Sequence, residues 1–435
     1  MSHVLIKGGK KLSGKLINQS SKNAAVALLA AAVMIRGKVR LSQVPHIEEV
    51  ERIIELLRSV GVLVEHDHDN NLVIDASADL NLKMIDRQAC DATRASLLLL
   101  GALAAREKKY TLYRSGGCKL GNRTVRPHLL ALQKFGISIK TTPEAYEVEN
   151  PVKLKAADIV MYESGDTATV NTIMGAVFAD GTTTISMASA NYMVQDVCYF
   201  LLKAGAKISG IGSTTLIING VKNLKPVPAY PVMPDPIVAM TFLAAGIATD
   251  SKVTVVGCPL DFLALELLKL EVMGQRCVFH NKRMSLNGKF KLVDIEVIPS
   301  KLRALPDKIE CRPFPGLNID NLPLFIPILA KAKGRTLVHD WVYEDRVIYS
   351  LELKKLGAQV SLIDTHRVWV EGPTKFVANE IIAPPALRPA VNVLICMLAA
   401  KGTSILRNTY VIDRGYENIY ETFRQAGASI TLIED

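Results

Sequence analysis

Aromatic residues are scarce in this 435-residue chain: Phe, Trp and Tyr together make 6%, and only two are Trp. They do not interleave with the basic residues, so a stacking platform for single-stranded nucleic acid is excluded. No apolar run reaches the roughly 18 residues of a membrane span without a charge or a break. The seven cysteines are odd in number, and no two form a CxxC pair. That argues against a disulfide framework or structural zinc and for a reducing, cytoplasmic setting. The first ten residues lack a basic-then-apolar signal pattern and read as a strand. Neither a GxGxxG nor a Walker loop is present, so no standard nucleotide fold is indicated. Although the formal net charge is +10, no run of five basic residues exists. Single arginines and lysines in loops suit small anions better than a polyanion.

What the chain does have is repetition. Gly61, Gly136, Gly205, Gly274, Gly357 and Gly427 each end an amphipathic stretch and precede alternating β-branched residues, with spacings of 75, 69, 69, 83 and 70. Each is read as a left-handed helix stop followed by a strand. Gly37, Gly181, Gly334 and Gly402 form a second marker, 24, 24, 23 and 25 residues upstream of the later glycine. A period of about 70 residues predicts a βαβαββ-type α/β unit used six times. The Pro-rich run Val227–Pro236 suggests a link between two halves of three units. The opening strands around Val4 and Gly14 would complete a repeat in whichever half lacks one. The expected lobes are residues 22–230, and 1–21 with 231–435, with a ligand cleft between them.

Polar residues fall at two places in the repeat. Each unit's first helix is nearly all apolar and hence buried, and it starts at Ser21-Lys22-Asn23, Asp91-Ala92-Thr93-Arg94, Ser164-Gly165-Asp166, Pro234-Asp235, Asn318-Ile319-Asp320 or Leu387-Arg388. Ser21, Asp91 and Asp235 read as N-caps. Lys22, Arg94 and Arg388 put cations at the positive end of a helix dipole, which is unfavourable unless they meet an anion. The loop before the second helix carries Cys118 and Arg123 in the second unit, Arg346 in the fifth and Arg414 in the sixth. Cys118 lies among Gly116, Gly117 and Gly121 and is flanked by Arg114, Lys119 and Arg123. Cationic neighbours lower a thiol's pKa and attract anions, as a catalytic cysteine acting on a phosphate or carboxylate substrate requires. The run Glu65-His66-Asp67-His68-Asp69 has metal-capable side chains, but lies between two strands and reads as a polar hairpin turn. His128, after Pro127 at a helix start, reads as packed or capping.

Together, Ser21-Lys22-Asn23, Thr93-Arg94, Gly116-Gly117-Cys118 with Gly121 and Arg123, Asp320, Leu387-Arg388 and Ile412-Asp413-Arg414-Gly415-Tyr416-Glu417 resemble the UDP-N-acetylglucosamine 1-carboxyvinyltransferases, enolpyruvyl transferases related to the 5-enolpyruvylshikimate-3-phosphate (EPSP) synthases. The resemblance covers essentially the whole chain. It implies a two-lobed inside-out α/β barrel, no metal or organic cofactor, and phosphoenolpyruvate and UDP-N-acetylglucosamine as small-molecule partners. Lys22, Arg123, Arg346, Arg388 and Arg414 would divide the phosphate and carboxylate of phosphoenolpyruvate, since arginine matches both anions bidentately. Cys118 would protonate the methylene carbon and can form an adduct with its neighbour. Fosfomycin, an epoxide inhibitor of the family, would alkylate it. Asp320 would take or orient the proton of the sugar 3-hydroxyl. Asn23, Arg94 and Val342 would hold the sugar nucleotide, with Arg123, Thr124, Val125, Arg126 and Pro127 around the base. The family usually has Pro, Val and Asp after Arg123, a Ser-Val-Gly turn near Asp166, and Asp in place of Ala386; the first two changes touch the uridine side. Another nucleotide or phosphosugar acceptor, a salt-sensitive RNA-binding protein on a related fold, and a non-catalytic paralogue are the alternatives.

Overall fold

The computed structural model describes residues 3–69, 71–116 and 124–433. Two compact units emerge. One holds residues 1–19 and 234–435, the other residues 20–116 and 124–233.

In the 20–233 unit, the first repeat forms a four-stranded sheet in the order Val227–Pro231, Lys38–Ser42, Leu72–Asp75, Leu63–His66. The outer strand Val227–Pro231 runs parallel to Lys38–Ser42 and comes from the far end of the segment, closing the unit on itself. The third repeat repeats this order with Asp158–Val160, Thr182–Ser186, Thr215–Asn219 and Lys207–Ser209. The second shows three strands, Lys109–Tyr113, Ala145–Glu149 and Ser138–Thr141.

In the other unit the opening strands find their places. Ser13–Ile17 pairs in parallel with Lys252–Pro259 in the fourth repeat. His3–Gly8 lies antiparallel between Gly402–Arg407 and Ser429–Ile433 in the sixth. The six exit glycines all have positive φ, between 88° and 100°, the left-handed conformation that favours glycine.

The apolar helices are the interior and the sheets lie outside them. Pro236–Ala248 is buried along its whole length, as are Ala24–Ala32 of the helix Lys22–Ala32. In one unit Pro236–Ala248, Phe325–Lys331 and Leu387–Ala399 pack pairwise. In the other, Lys22–Ala32, Leu99–Ala102 and Asp166–Val177 do the same. An asparagine stitches each trio. Asn171 Nδ2 donates to the Leu97 carbonyl at 2.8 Å, and Asn392 Nδ2, at the same position of its helix, donates to that of Pro323 at 2.7 Å.

Asn171 also explains a departure from the expected single helix in the second repeat. Its Oδ1 accepts from Gly101 N at 2.9 Å, taking the bond a helix would direct to Leu97. A Cβ on Gly101 would lie 2.5 Å from the Asn171 carbonyl oxygen. The segment therefore divides into Arg87–Ala92, the 3₁₀ turn Arg94–Leu98 and Leu99–Ala102. Asp91 is consequently not an N-cap. It sits inside Arg87–Ala92, and the caps are Asp86 and Thr93, whose side chains accept from Ala89 N and Ala95 N. Ser21 and Asp235 do cap their helices. The second helix of the fifth repeat is also not α-helical: Arg346–Leu356 is 3₁₀, entered through Asp345 at φ 64°.

Candidate active site

In the unit of residues 1–19 and 234–435, the structure brings Asp320, Arg346 and Arg388 together. Arg388, second residue of its helix, is buried, with Nη2 3.6 Å from Asp320 Oδ2 and its guanidinium 5.1 Å from the centre of the Tyr416 ring. Arg346, the first residue of the 3₁₀ helix, is also buried. Its Nη1 reaches Asp320 Oδ1 at 3.3 Å, its Nη2 donates to the Ile319 carbonyl at 2.7 Å, and it lies 4.3 Å from the centre of the Tyr343 ring. The Asp320 carboxylate thus offsets the Arg388 charge at the positive end of its helix.

Two carboxylates that the sequence did not single out build this cluster. Asp340, buried, accepts from Arg346 Nε. Burial opposes the Arg346 charge, but Asp340, and then Asp320, outweigh it and the guanidinium pKa is raised. Glu266, buried, accepts from Asn318 N at 3.1 Å and Asn321 Nδ2 at 2.9 Å, which fixes the turn carrying Asp320. Burial pushes its carboxyl up against those two donors. Glu266 looked like one charge of an amphipathic helix, and Asp340 like an ordinary strand-end residue. Only packing shows that they face inward. Val342 is half-buried in the loop between Asp340 and Arg346, beside Trp341, whose Nε1 donates to the Cys311 carbonyl at 2.6 Å. Arg414 is half-buried after the short helix Tyr410–Asp413, and makes no side-chain ion pair among the described residues.

In the 20–233 unit, Lys22 opens its helix and its Nζ pairs with Glu49 Oε2 at 2.6 Å; Thr93 Oγ1 donates to the other Glu49 oxygen at 3.4 Å. Asn23 Nδ2 donates to the Tyr192 hydroxyl at 2.8 Å. Tyr192 follows Asn191, which caps the helix Tyr192–Lys203 and donates through Nδ2 to Asp166 Oδ2 at 2.8 Å. Ser189 Oγ donates to the other Asp166 oxygen. Arg94 Nη2 donates to the Thr124 carbonyl at 3.1 Å. Thr124 and Arg126 are exposed, Val125 half-buried, and Pro127 buried at the start of Arg126–Gln133. His128 is buried, with Nδ1 2.8 Å from Asn171 Nδ2. Burial, with the Arg94 charge adding, pushes its imidazole down to about 3, so it is a neutral packing group. Glu49 and Tyr192 also escaped the sequence reading, one as a first-turn acid of an exposed-looking helix, the other as an apolar residue.

Cys118 and Arg123 lie outside the described residues. At the start of their loop, a Cβ on Gly116 would lie 1.8 Å from the Asp91 carbonyl oxygen, so only glycine fits there. The other six thiols are poor nucleophiles. Five are buried and Cys277 is intermediate. Burial raises the Cys90, Cys198 and Cys311 thiols to about 12 and Cys277 to about 11, and pushes up Cys258 and Cys396 as well.

Residues 6–423 match the family model for EPSP synthase (3-phosphoshikimate 1-carboxyvinyltransferase). The chain is 31% identical over 436 residues to a UDP-N-acetylglucosamine 1-carboxyvinyltransferase of Campylobacter lari, covering 100% of both chains. It is 33% identical over 430 residues to one from Hydrogenovibrio crunogenus, covering 99% of each. Among solved structures it resembles the enolpyruvyl transferase NikO from Streptomyces tendae, with TM-score 0.86, 25% identity and 99% of each chain covered. An EPSP synthase from Acinetobacter baumannii shares the fold, with TM-score 0.78 and 19% identity over 100% of both chains.

Proposed function

Since the chain belongs to the EPSP synthase family, we propose that it is a transferase moving the enolpyruvyl group of phosphoenolpyruvate onto the 3-hydroxyl of UDP-N-acetylglucosamine, with release of phosphate. In a wall-building cell this is the first committed step of peptidoglycan precursor synthesis, and we place it in the cytoplasm. The observation that carries the reading is full-length similarity to relatives named for that activity. The pairing of Asp320 with the buried guanidinium groups of Arg346 and Arg388 supports it.

Cys118 delivers a proton to the methylene carbon of phosphoenolpyruvate, and the adjacent carbon becomes electrophilic. The sugar 3-oxygen attacks it while Asp320 takes or orients the hydroxyl proton. In the tetrahedral intermediate that carbon holds the ether oxygen, phosphate, carboxylate and a new methyl group. Loss of phosphate, with one methyl proton returning to the Cys118 thiolate, restores the double bond and gives the enolpyruvyl ether. Lys22, Arg123, Arg346, Arg388 and Arg414 are the cations for the phosphate and carboxylate. Arginine suits this because its planar fork stays charged and matches both anions. Asn23, Arg94, Val342 and the stretch Arg123, Thr124, Val125, Arg126 and Pro127 hold the sugar nucleotide. No step calls for a metal or organic cofactor.

The test is phosphate release from phosphoenolpyruvate with a panel of acceptors. Turnover with UDP-N-acetylglucosamine above that with other nucleotides and phosphosugars is expected. Silence with it, or a clear preference for another acceptor, overturns the assignment.

A further inference from the structure

The run Glu65–Asp69 behaves as a turn only in part. Asp67 Oδ1 accepts from Asp69 N and Asn71 N, each at 2.9 Å, and its other oxygen pairs with Arg40 at 2.9 Å. His66 does something else. Its ring stacks on that of His46, with centroids 5.6 Å apart and planes 28° from parallel. Glu51 joins them: one ligand atom from each of His46, Glu51 and His66 lies within 4.8 Å of the others. The three come from separate elements of the first repeat. His46 belongs to the connection after Lys38–Ser42, Glu51 to the first turn of Glu48–Ser59, and His66 ends Leu63–His66.

The surrounding charges are otherwise engaged. Arg52 is held by Glu48 and Glu55, and Lys22 by Glu49. Glu51 makes no ion pair among the described residues. Among the described residues, the Glu51 carboxylate thus lies beside two imidazoles and forms no ion pair with a lysine or arginine.

We propose that His46, Glu51 and His66 bind one divalent late-transition metal ion, Zn²⁺ being the ordinary biological case. Two imidazole nitrogens and one carboxylate oxygen favour Zn²⁺, Co²⁺, Ni²⁺ or Cu²⁺ over the oxygen-seeking Mg²⁺ and Ca²⁺. Tetrahedral bonds of about 2.1 Å place ligand atoms roughly 3.4 Å apart. His46 and His66 are exposed and Glu51 half-buried, which leaves their side chains room to turn toward that shorter spacing. Water fills the remaining coordination position. The site is not part of the proposed transfer chemistry. It would tie the 43–47 connection and the end of one strand to the helix whose Glu49 holds Lys22. Sequence spacing could not show it, because His46 and His66 stand 20 residues apart.

The test is Co²⁺ titration of the full, metal-free chain, followed by visible absorption and calorimetry, with Zn²⁺ competition. The expected result is one Co²⁺ per chain, displaced by Zn²⁺, with no thiolate-to-cobalt charge-transfer band. Affinity should fall more than about tenfold in His46→Ala and in His66→Ala, while His68→Ala, in the same turn, leaves it unchanged. Far-ultraviolet circular dichroism checks that the variants fold, and His66→Gln provides a milder replacement. Absence of stoichiometric binding, binding that survives the His46→Ala/His66→Ala double variant, or a charge-transfer band abolished by Cys118→Ser would overturn the proposal.

Discussion

Replacing Asp340 by Ala tests how the anion-binding arginines are held. Arg346 is buried, and Asp340, itself buried, accepts from its Nε. Removing that carboxylate leaves a buried guanidinium whose remaining charged partner is Asp320, 3.3 Å away and partly exposed. Breaking a buried pair by deleting one partner costs about 3–5 kcal/mol. Because Asp320 stays, the lower figure applies, about 3 kcal/mol, or roughly a hundredfold in the local opening equilibrium. A chain of two units does not unfold in one step, so a single melting temperature would blur the effect. Hydrogen exchange resolves it. Amides of 334–356 should lose about a hundredfold in protection, while those of 20–60 keep theirs. Turnover should fall with them, because Arg346 would no longer present its fork to an anion. Asp340→Asn, which preserves shape and one acceptor oxygen, should do less damage. Native protection and native turnover in Asp340→Ala would refute the reasoning.

Three further outcomes follow from other residues. Asp320→Ala should lower turnover by about two to four orders of magnitude if Asp320 takes the hydroxyl proton; turnover within tenfold of native excludes that role. Fosfomycin should label Cys118 alone, because the other six thiols are all pushed up by burial; peptide mapping that finds another cysteine labelled, or none, contradicts this. Asp196→Asn should change the pH dependence of stability. Burial raises the Asp196 carboxyl to about 7 despite the Tyr230 hydroxyl donating at 2.6 Å. The native state therefore keeps a proton that the unfolded chain releases near pH 4, and this contribution falls as pH rises through that window. The loss amounts to about 2 kcal/mol between about pH 5.5 and 8. His128 acts oppositely, because its imidazole is pushed down to about 3 and stays neutral while the unfolded chain gains a proton below about 6.5. The readout is therefore Asp196→Asn minus native in urea titrations at both pH values, with the variant relatively more stable at the higher one. An equal difference at both would count against it.

Much of the architecture was legible because its cause is local. A glycine that must adopt positive φ after a helix leaves a mark in one residue, and six such marks in register announce the repeat. Buried helices likewise show as unbroken apolar runs. The split of the first helix in the second repeat has a long-range cause. Asn171 interrupts the helical ladder at Leu97 and Gly101 from another repeat, about 70 residues away, and nothing within 91–105 foretells it. In the site, cations at helix starts stood out because they violate a dipole rule. Glu49 and Asp340, which pair with Lys22 and Arg346, and Glu266, which holds the turn of Asp320, did not, since an acid on an amphipathic helix or at a strand end is ordinary until its burial is known. The His46–His66 pair was hidden for the same reason: the sheet register, not the spacing, brings the rings together.

The most direct measurement is the reaction in D₂O with phosphoenolpyruvate and UDP-N-acetylglucosamine, read by proton NMR of the product. Protonation of carbon followed by loss of phosphate and a methyl proton predicts a 3-O-enolpyruvyl ether whose vinyl group carries solvent deuterium. A product without that ether, or an ether whose vinyl protons all come from the starting phosphoenolpyruvate, would contradict the account.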